Sequence, residues 1–321
     1  MNSGIIMEKT SNNIVPKYSV VIPVFNSETS LEELCRRIDV VFKKLQDTYE
    51  LILINDCSRD NSWDVITSIK ETNCNLRAFN LAFNVGQFGA IFCGMEHANG
   101  EYIITMDDDL QNPPEEIPKL IEKIRENGSI ECVYGIPQAK QHNVFRNLGS
   151  RAIKVLNDKI WSKNKSIKTS SFRMFTKDLK DRLIIFQTRS PAVTGFIFKL
   201  TDNIENVEVN HDKRIHGKSN YNFMKLVAAT FDSIVNYSTL PLQYVARIGV
   251  ITSFFSFLIA IFFTVQYIRG IITQPGFFSI IVTISFFSGL ILLSIGVLGE
   301  YIMRIIKEVN HTPKYIIKDK L

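Results

Sequence analysis

Three consecutive carboxylates, Asp107, Asp108 and Asp109, are the residues of this sequence best suited to chemistry. They follow the β-branched run Tyr102–Met106 directly, and Gln111 comes shortly after them. Adjacent negative charges repel one another unless a cation or solvent neutralises them. At a strand end Asp107 and Asp109 can point the same way, with the Gln111 amide oxygen beyond them. Because a few hard oxygen ligands suit Mg²⁺ or Mn²⁺, we predict a metal site formed by these three residues.

A solvated acidic turn is the alternative interpretation, since Asp-rich turns are common. Here, however, a predicted strand precedes the carboxylates, and Pro113-Pro114 follows them before Glu115 and Glu116 open a helix. Open α/β sheets bind their ligands beyond the carboxyl ends of the strands. That position favours the metal site over the solvated turn.

The elements that must hold these carboxylates are short apolar runs that alternate with helical patterns. The predicted strands are Tyr18–Ile22, Tyr49–Ile54, Leu76–Leu81 and Tyr102–Met106. Helices are predicted to start at Ser30, behind a cap at Ser62, and within Asn84–Ala90. The alternation predicts a doubly wound, mostly parallel α/β sheet. Each loop after a strand is polar, and four such loops along one edge predict a nucleotide pocket.

The middle of the chain, residues 131–212, is less regular. Further sheet elements are predicted at Cys132–Gly135, Phe172–Phe175 and Gly195–Lys199. The segment Gln138–Arg151 between them is polar and basic, and His211–Tyr221 carries several cations around Gly217. We predict that the latter folds over phosphates, with an ordinary solvated basic loop as the alternative.

Beyond Tyr221 the composition turns apolar. Residues 222–242 have apolar side chains at helical spacing and predict an interfacial helix. Ile248–Ile268 and Phe277–Gly299 carry no formal charge, and each reaches the roughly 20 residues that cross a bilayer. A pair of soluble core helices is the alternative. Because cations flank the outer ends of both spans, the positive-inside rule predicts both termini in the cytoplasm.

Composition narrows the class of protein. A net charge of +5 over 321 residues is too small to indicate nucleic-acid binding. The five cysteines have no C-x-x-C spacing and no histidine cluster beside them, which argues against structural zinc and fits a reducing cytosol. The polar N-terminal stretch has no apolar core, so no signal peptide is predicted.

The motifs together resemble family 2 glycosyltransferases of the GT-A fold, of the dolichol-phosphate-mannose synthase and bactoprenol (undecaprenyl-phosphate) glucosyltransferase type. The resemblance covers nearly the whole chain and rests on Val21-Ile-Pro-Val-Phe-Asn26, Asn55-Asp-Cys-Ser58, Asn84-Val-Gly86, Asp107-Asp-Asp-Leu-Gln-Asn-Pro-Pro-Glu115, Phe145-Arg-Asn-Leu-Gly-Ser150, Ser171-Phe-Arg173, Arg214-x-x-Gly-Lys-Ser-x-Tyr221 and Gly299-Glu-Tyr-x-x-Arg304. Some members place Asp where this chain has Ser171. The family implies inverting transfer of a sugar from a nucleotide sugar, here expected to be a UDP-hexose such as UDP-glucose. The acceptor would be a polyprenyl (undecaprenyl) phosphate at the inner membrane face, for cell-envelope glycan or O-antigen modification.

The resemblance also implies roles for individual residues. Those expected to bind the nucleotide sugar are Pro23, Phe25, Asn26, Asp56, Asp107, Asp108, Arg214 and Lys218. Those expected to contact the acceptor phosphate are Arg146 and Ser150. The catalytic residues would be Asp107, Asp109 and Arg146, and the Mg²⁺ or Mn²⁺ held by Asp107, Asp109 and Gln111 would bridge the donor diphosphate.

The predicted organisation is a Rossmann-like GT-A domain (1–221), an interfacial helix region (222–243), two transmembrane helices (244–300) and a cytoplasmic C-terminal tail (301–321). Such a protein is a multi-pass inner (plasma) membrane enzyme with its catalytic domain and termini in the cytoplasm. Its partners are a nucleotide sugar, the lipid phosphate and the membrane, not nucleic acid, and a homo-oligomer is left open. A non-catalytic adaptor built on a degenerate transferase domain would lack the metal ligands, but Asp107, Asp109 and Gln111 are all present. A processive polysaccharide synthase would carry a Gln-x-x-Arg-Trp segment, which the sequence lacks.

Overall fold

The computed structural model describes residues 15–138, 167–186, 193–212, 240–269, 276–309 and 313–321. The chain divides into two units. The first is drawn from Met1–His142, Lys163–Lys218 and Thr312–Leu321, and the second from Asn143–Ser162 and Ser219–His311.

The first unit is an α/β unit built on a single sheet. Its strands are β1 (Tyr18–Val24), β2 (Tyr49–Asn55), β3 (Leu76–Leu81), β4 (Tyr102–Thr105), β5 (Cys132–Pro137), β6 (Arg173–Thr176), β7 (Ile204–Val209) and β8 (Ile317–Lys320). Its helices are α1 (Leu31–Leu45), α2 (Ser62–Thr72), α3 (Gly86–His97), a short 3₁₀ turn (Pro114–Glu116), α4 (Ile117–Glu126), α5 (Lys177–Ile184) and α6 (Val193–Leu200).

The strand order in the described residues is β7-β5-β6-β4-β1-β2-β3-β8. β1 pairs in parallel with both β2 and β4, β2 with β3, and β5 with β7. The antiparallel pairs are β4 with β6, β5 with β6, and β3 with β8. The prediction of a mostly parallel, Rossmann-like sheet is therefore confirmed, and the four predicted N-terminal strands are its β1 to β4.

The core lies on both faces of this sheet, because helices cover each side. Val20 and Ile22 of β1 pack with α1 on one face, whereas Val21 packs with α3 on the other. Side chains alternate between the faces of a strand, so a strand covered on both sides is buried along its whole length and is mostly apolar. This explains why every residue of β1 and of β2 is buried.

Two local predictions were wrong. The stretch Gly195–Lys199, predicted as a sheet element, lies in helix α6. Short apolar runs do not distinguish a strand from a buried helix, and here Val193, Phe196 and Ile197 bury one helical face. Ser62 is the first residue of α2 and not its cap, since Asn61 occupies the cap position.

The last residues of the chain return to the sheet. β8 pairs antiparallel with the edge of β3, and the backbone groups of Leu321 and Ala78 donate to one another at 2.9 and 3.1 Å. Tyr315 and Lys314 also contact Glu96 on α3. The segment predicted as a tail, residues 301–321, therefore contains the end of a helix of the second unit and an edge strand of the first.

The second unit contains two long helices, α7 (Leu240–Ile268) and α8 (Phe277–Val309). In the described part of the chain one stretch, Phe286–Met303 of α8, is long and apolar enough to cross a membrane, and none of it is buried. The other predicted span, Ile248–Ile268, lies within α7 and stays a prediction. The predicted interfacial helix falls almost wholly outside the described residues.

Candidate active site

The loops that follow β1, β2, β3 and β4 lie at one edge of the sheet, because these strands run parallel to one another. The β1 and β2 loops are joined at their bases, where the Asp56 N–H donates to Val24 O at 2.9 Å. Pro23 is buried inside β1, whereas the Phe25 ring just beyond it is 48% exposed. An exposed ring at this edge provides a surface on which a nucleotide base can stack.

Asn26 locks the β1 loop to the β2 loop. Its backbone adopts a left-handed conformation with φ of 55°, which Asn tolerates better than most residues. The Asn26 side-chain oxygen accepts from Arg59 N at 2.8 Å, and the Asn26 N–H donates to Ser58 Oγ at 3.0 Å. Asn26, which was predicted to bind nucleotide, thus fixes the conformation of the β1 loop against the β2 loop.

Asp56 connects the β2 loop to the start of α3. Its Oδ1 accepts from Val85 N at 2.7 Å, and Asn84 donates to its backbone oxygen at 3.0 Å. Burial raises the pKa of the Asp56 carboxyl, although the N–H groups of Val85 and Gly86 oppose that shift. Gly86 has a φ of 78° with open space around its Cα, so the turn into α3 favours glycine.

The middle carboxylate, Asp108, is turned toward the β1 loop. Its Oδ2 accepts from Phe25 N at 3.1 Å and from the Ser27 hydroxyl at 2.5 Å. Ser30, at the start of α1, donates to the Asp108 backbone oxygen at 2.7 Å. Burial raises the pKa of Asp108 to about 6. Asp108 therefore clamps the loop that presents Phe25, which was predicted to contact the nucleotide.

Asp107 has a hydrogen-bond donor on each carboxylate oxygen. Gln87 Nε2 donates to its Oδ1 and Ser171 Oγ to its Oδ2, each at 2.5 Å. Burial raises the pKa of Asp107, and the neighbouring Asp109 adds to that effect, while the Ser171 hydroxyl opposes it. Sequence reasoning did not identify Gln87 as a site residue. Its position just after the Asn84-Val-Gly86 motif was the available signal.

The chain turns sharply after the carboxylates. Leu110 has a φ of 59°, unusual for a bulky residue, and the Gln111 N–H donates to Asp109 Oδ1 at 3.1 Å. The Gln111 backbone oxygen accepts from Asp212 N at 2.9 Å. Asp212 is the last described residue before the remainder of the basic segment predicted to fold over phosphates. The backbone of the acidic loop therefore anchors Asp212, the residue that precedes the rest of this basic segment.

Glu116 and Asn112 reinforce this attachment, and neither was predicted. The Glu116 carboxylate accepts from the backbone and side-chain nitrogens of Asn210, at 3.1 and 2.9 Å. The Asn112 side-chain oxygen lies 3.3 Å from His211 Nδ1. Both contacts join residues about 100 positions apart, so no local pattern indicated them.

The structure brings most of the predicted site residues to one edge, namely Phe25, Asn26, Asp56, Asp107, Asp108, Asp109 and Gln111. The predicted phosphate-binding residues Arg146, Ser150, Arg214 and Lys218 lie outside the described residues.

A divalent cation suits the acidic loop. No group of three His, Cys, Asp or Glu residues converges to hold a metal in the described segments. Asp107, Asp109 and the Gln111 amide supply few, hard and half-exposed oxygen donors. Such a set leaves positions for diphosphate oxygens and water, and a cation there would relieve the repulsion between Asp107 and Asp109. By their donor chemistry these residues fit Mg²⁺ or Mn²⁺ bound together with a substrate, and their role as metal ligands stays a prediction.

Comparison with known proteins places these residues in a wider context. The model of the Glycosyl transferase family 2 domain matches residues 19–183. The undecaprenyl-phosphate 4-deoxy-4-formamido-L-arabinose transferase of Klebsiella pneumoniae (strain 342) is 33% identical over 307 residues, which cover 95% of this chain and 93% of the relative. The protein of the same name from Proteus mirabilis (strain HI4320) is 33% identical and is covered to 94% of its length.

Solved structures show the same fold. Glucosyl-3-phosphoglycerate synthase from Mycobacterium tuberculosis, in complex with Mn²⁺, UDP-glucose and phosphoglyceric acid, has a TM-score of 0.51 and 17% sequence identity. The match covers 68% of this chain and 78% of that one. The likeness shows the GT-A arrangement of a Rossmann-like α/β unit with a mostly parallel sheet.

Proposed function

Because this chain belongs to glycosyl transferase family 2, we propose that it transfers a sugar from a nucleotide-sugar donor to a polyprenyl phosphate. Glycosyltransferase activity follows from the family itself. The acceptor is inferred from two relatives that align with 95% of this chain and carry undecaprenyl phosphate in their names. The observation that carries the proposal is that Phe25, Asp56, Asp107 and Asp109 all lie at the edge of the sheet where the parallel strands β1, β2 and β4 end.

Each residue of the edge has a place in this reaction. The exposed ring of Phe25 and the carboxylate of Asp56 would bind the base and ribose. Asp107, Asp109 and Gln111 would hold Mg²⁺ or Mn²⁺, which supplies neutralising charge to the leaving diphosphate. Arg214 and Lys218, which follow the attachment of Asp212 to Gln111, would add cationic contacts to the donor phosphates.

The acceptor supplies its own nucleophile. A phosphate monoester has a second pKa of about 6, so it is largely a dianion at pH 7 and hardly needs a general base. Ser171, where some relatives place Asp, is therefore compatible with transfer. Its hydroxyl donates to Asp107 instead of removing a proton. Direct attack of the phosphate oxygen on the anomeric carbon inverts that carbon.

Two donor classes follow from different observations. The sequence resemblance pointed to a UDP-hexose such as UDP-glucose, whereas the names of both relatives specify 4-deoxy-4-formamido-L-arabinose, a modified pentose. We propose a uridine nucleotide sugar, with the modified pentose as the first donor to test and UDP-glucose as the second.

A donor screen tests the reaction. Purified protein is incubated with undecaprenyl phosphate, Mn²⁺ and each UDP-sugar in turn, and lipid-linked product is measured by mass spectrometry. We expect one donor to give a glycosyl phosphoryl lipid, with none formed when the lipid phosphate is omitted. Failure of every donor to modify the lipid, together with transfer to a water-soluble acceptor, would contradict the proposal.

We also propose that the protein is a multi-pass membrane protein with both termini in the cytoplasm. The apolar stretch of α8 and the cations flanking both predicted spans support this orientation. A reporter fused after Leu321 should report the cytoplasm, and a matched fusion after Gln274, between the spans, should report the opposite side. Signals on the same side from the two fusions would overturn the topology.

A further inference from the structure

Arg173 is a buried cation that the proposed reaction leaves unexplained. It lies in β6 opposite Thr105 of β4 and is 1% exposed. Its Nε donates to Thr105 Oγ1 at 3.1 Å and its Nη1 to Thr194 Oγ1 at 2.9 Å. Its Nη2 has no hydrogen-bond partner among the described residues. Its guanidinium also lies 5.9 Å from the centroid of the Tyr134 ring. Burying a charge is costly unless it is well paired, and no carboxylate forms a hydrogen bond with Arg173 among the described residues.

The contacts of Arg173 lead to the first carboxylate of the site. Arginine only donates, so the Thr105 oxygen must accept from it, and the single Thr105 proton goes to the Ser171 backbone oxygen at 2.8 Å. The Ser171 hydroxyl in turn donates to Asp107 Oδ2 at 2.5 Å. These contacts form a series from Arg173 to Asp107 that passes through Ser171, whose backbone oxygen accepts from Thr105 and whose side-chain hydroxyl donates to the Asp107 carboxylate.

Asp107 is thus supported from two sides. Gln87 on α3 holds one carboxylate oxygen, and the series through Ser171 holds the other. Thr105 and Arg173 sit behind the carboxylate: Thr105 is fully buried and Arg173 is 1% exposed. Residues that orient a metal ligand from behind commonly change metal affinity when they are replaced.

We propose that Arg173 and Thr105 are positioning residues that act through Ser171 to hold Asp107 in the orientation that binds a divalent cation. The proposal rests on the proposed function, since it takes the metal site as given. Arg173 and Thr105 lie on the neighbouring strands β6 and β4. They would support the metal site from behind without contacting the substrate.

Thr105→Val is the sharpest test, because valine keeps the shape of threonine and removes its hydroxyl. The variant loses both bonds of Thr105 but keeps the direct contact between Ser171 and Asp107. Mn²⁺ affinity is measured from the free-ion signal in electron paramagnetic resonance, with UDP present and no lipid. We expect Thr105→Val to weaken Mn²⁺ binding about tenfold. Thr105→Ser, which keeps the hydroxyl, should stay within about twofold of the original protein.

A second threonine provides the matched control. The Thr67 hydroxyl in α2 donates to Trp63 O at 2.9 Å and has no link to the carboxylates. Thr67→Val should therefore leave Mn²⁺ affinity unchanged. Unchanged affinity in Thr105→Val, or equal losses in Thr105→Val and Thr105→Ser, would overturn the proposal.

If Thr105→Val fails to fold, Ser171→Ala provides the second test, since the proposal requires the bond to Asp107 that this variant removes at a half-exposed position. Retention of full Mn²⁺ affinity in that variant would also overturn the proposal. Because the titration contains no lipid, it is independent of the acceptor. Mn²⁺ binding without transfer to undecaprenyl phosphate would refute the proposed function alone, whereas no Mn²⁺ binding by the original protein would refute the positioning role.

Discussion

Replacing Asp109 with alanine is expected to lower the rate of sugar transfer by about 10²–10³-fold while the protein stays folded. Asp109 lies in the half-exposed acidic loop, next to the sharp turn at Leu110, and is one of three proposed metal ligands. Loss of Asp109 would weaken binding of the cation, which would stabilise the negative charge that develops on the leaving diphosphate. Initial rates at saturating Mn²⁺, together with a thermal melt followed by circular dichroism, measure the two parts of this expectation.

Removal of the metal provides the complementary test. Excess EDTA should stop transfer by the original protein, and added Mg²⁺ or Mn²⁺ should restore it. Asp64→Ala, which removes an exposed carboxylate from α2, is the matched control and should keep the original rate. Full turnover in excess EDTA, or equal losses in the Asp109 and Asp64 variants, would show that the acidic loop does not act through a cation.

Replacing Arg146 with alanine is expected to weaken the use of polyprenyl phosphate by roughly ten- to a hundredfold. Arg146 lies outside the described residues, and the expectation rests on its place in the basic motif Phe145-Arg-Asn-Leu-Gly-Ser150. The planar fork of arginine suits a phosphate, and one hydrogen bond to a charged group contributes about 1.5–3 kcal/mol. The KM for undecaprenyl phosphate measures the effect.

Donor affinity separates the two phosphates that Arg146 could contact. Calorimetric titration of the nucleotide sugar should give nearly the same affinity for Arg146→Ala as for the original protein. Arg36→Ala is a suitable control, since Arg36 is exposed on α1 and pairs with Glu33 of the same helix. If donor affinity falls as far as acceptor use, Arg146 belongs to the donor site and the assignment to the acceptor is wrong.

Much of the sheet was predictable because its signals are local. The bounds of β3, Leu76–Leu81, were predicted to the residue, because Leu76, Ala78, Phe79 and Leu81 make this stretch mostly apolar. The edge strand β8 was not predicted, because Ile317–Lys320 is mostly polar and its place depends on main-chain pairing with β3. Such pairing joins residues more than 200 positions apart and leaves no periodic signal.

Some features of the candidate site were likewise predictable from the sequence, and others were not. The carboxylates and the loops after each strand could be predicted, because parallel strands bring their carboxyl ends to one edge. The partners of those carboxylates could not. Ser171 and Gln87 reach Asp107 across 64 and 20 positions of the chain, and the orientation of Asp108 toward Ser27 depends on how two loops pack. These contacts exist only once the tertiary fold has formed.

The position of β8 has a consequence for the order in which the protein is made. During synthesis β3 emerges early, but its antiparallel neighbour comes from residues 317–320, after α7 and α8. Until then the outer side of β3 is an unpaired strand edge, a surface to which other chains can add. The edge of β3 therefore stays unpaired while the ribosome translates the helices of the second unit. The backbone bonds between Leu321 and Ala78 then help to cover this edge of the sheet.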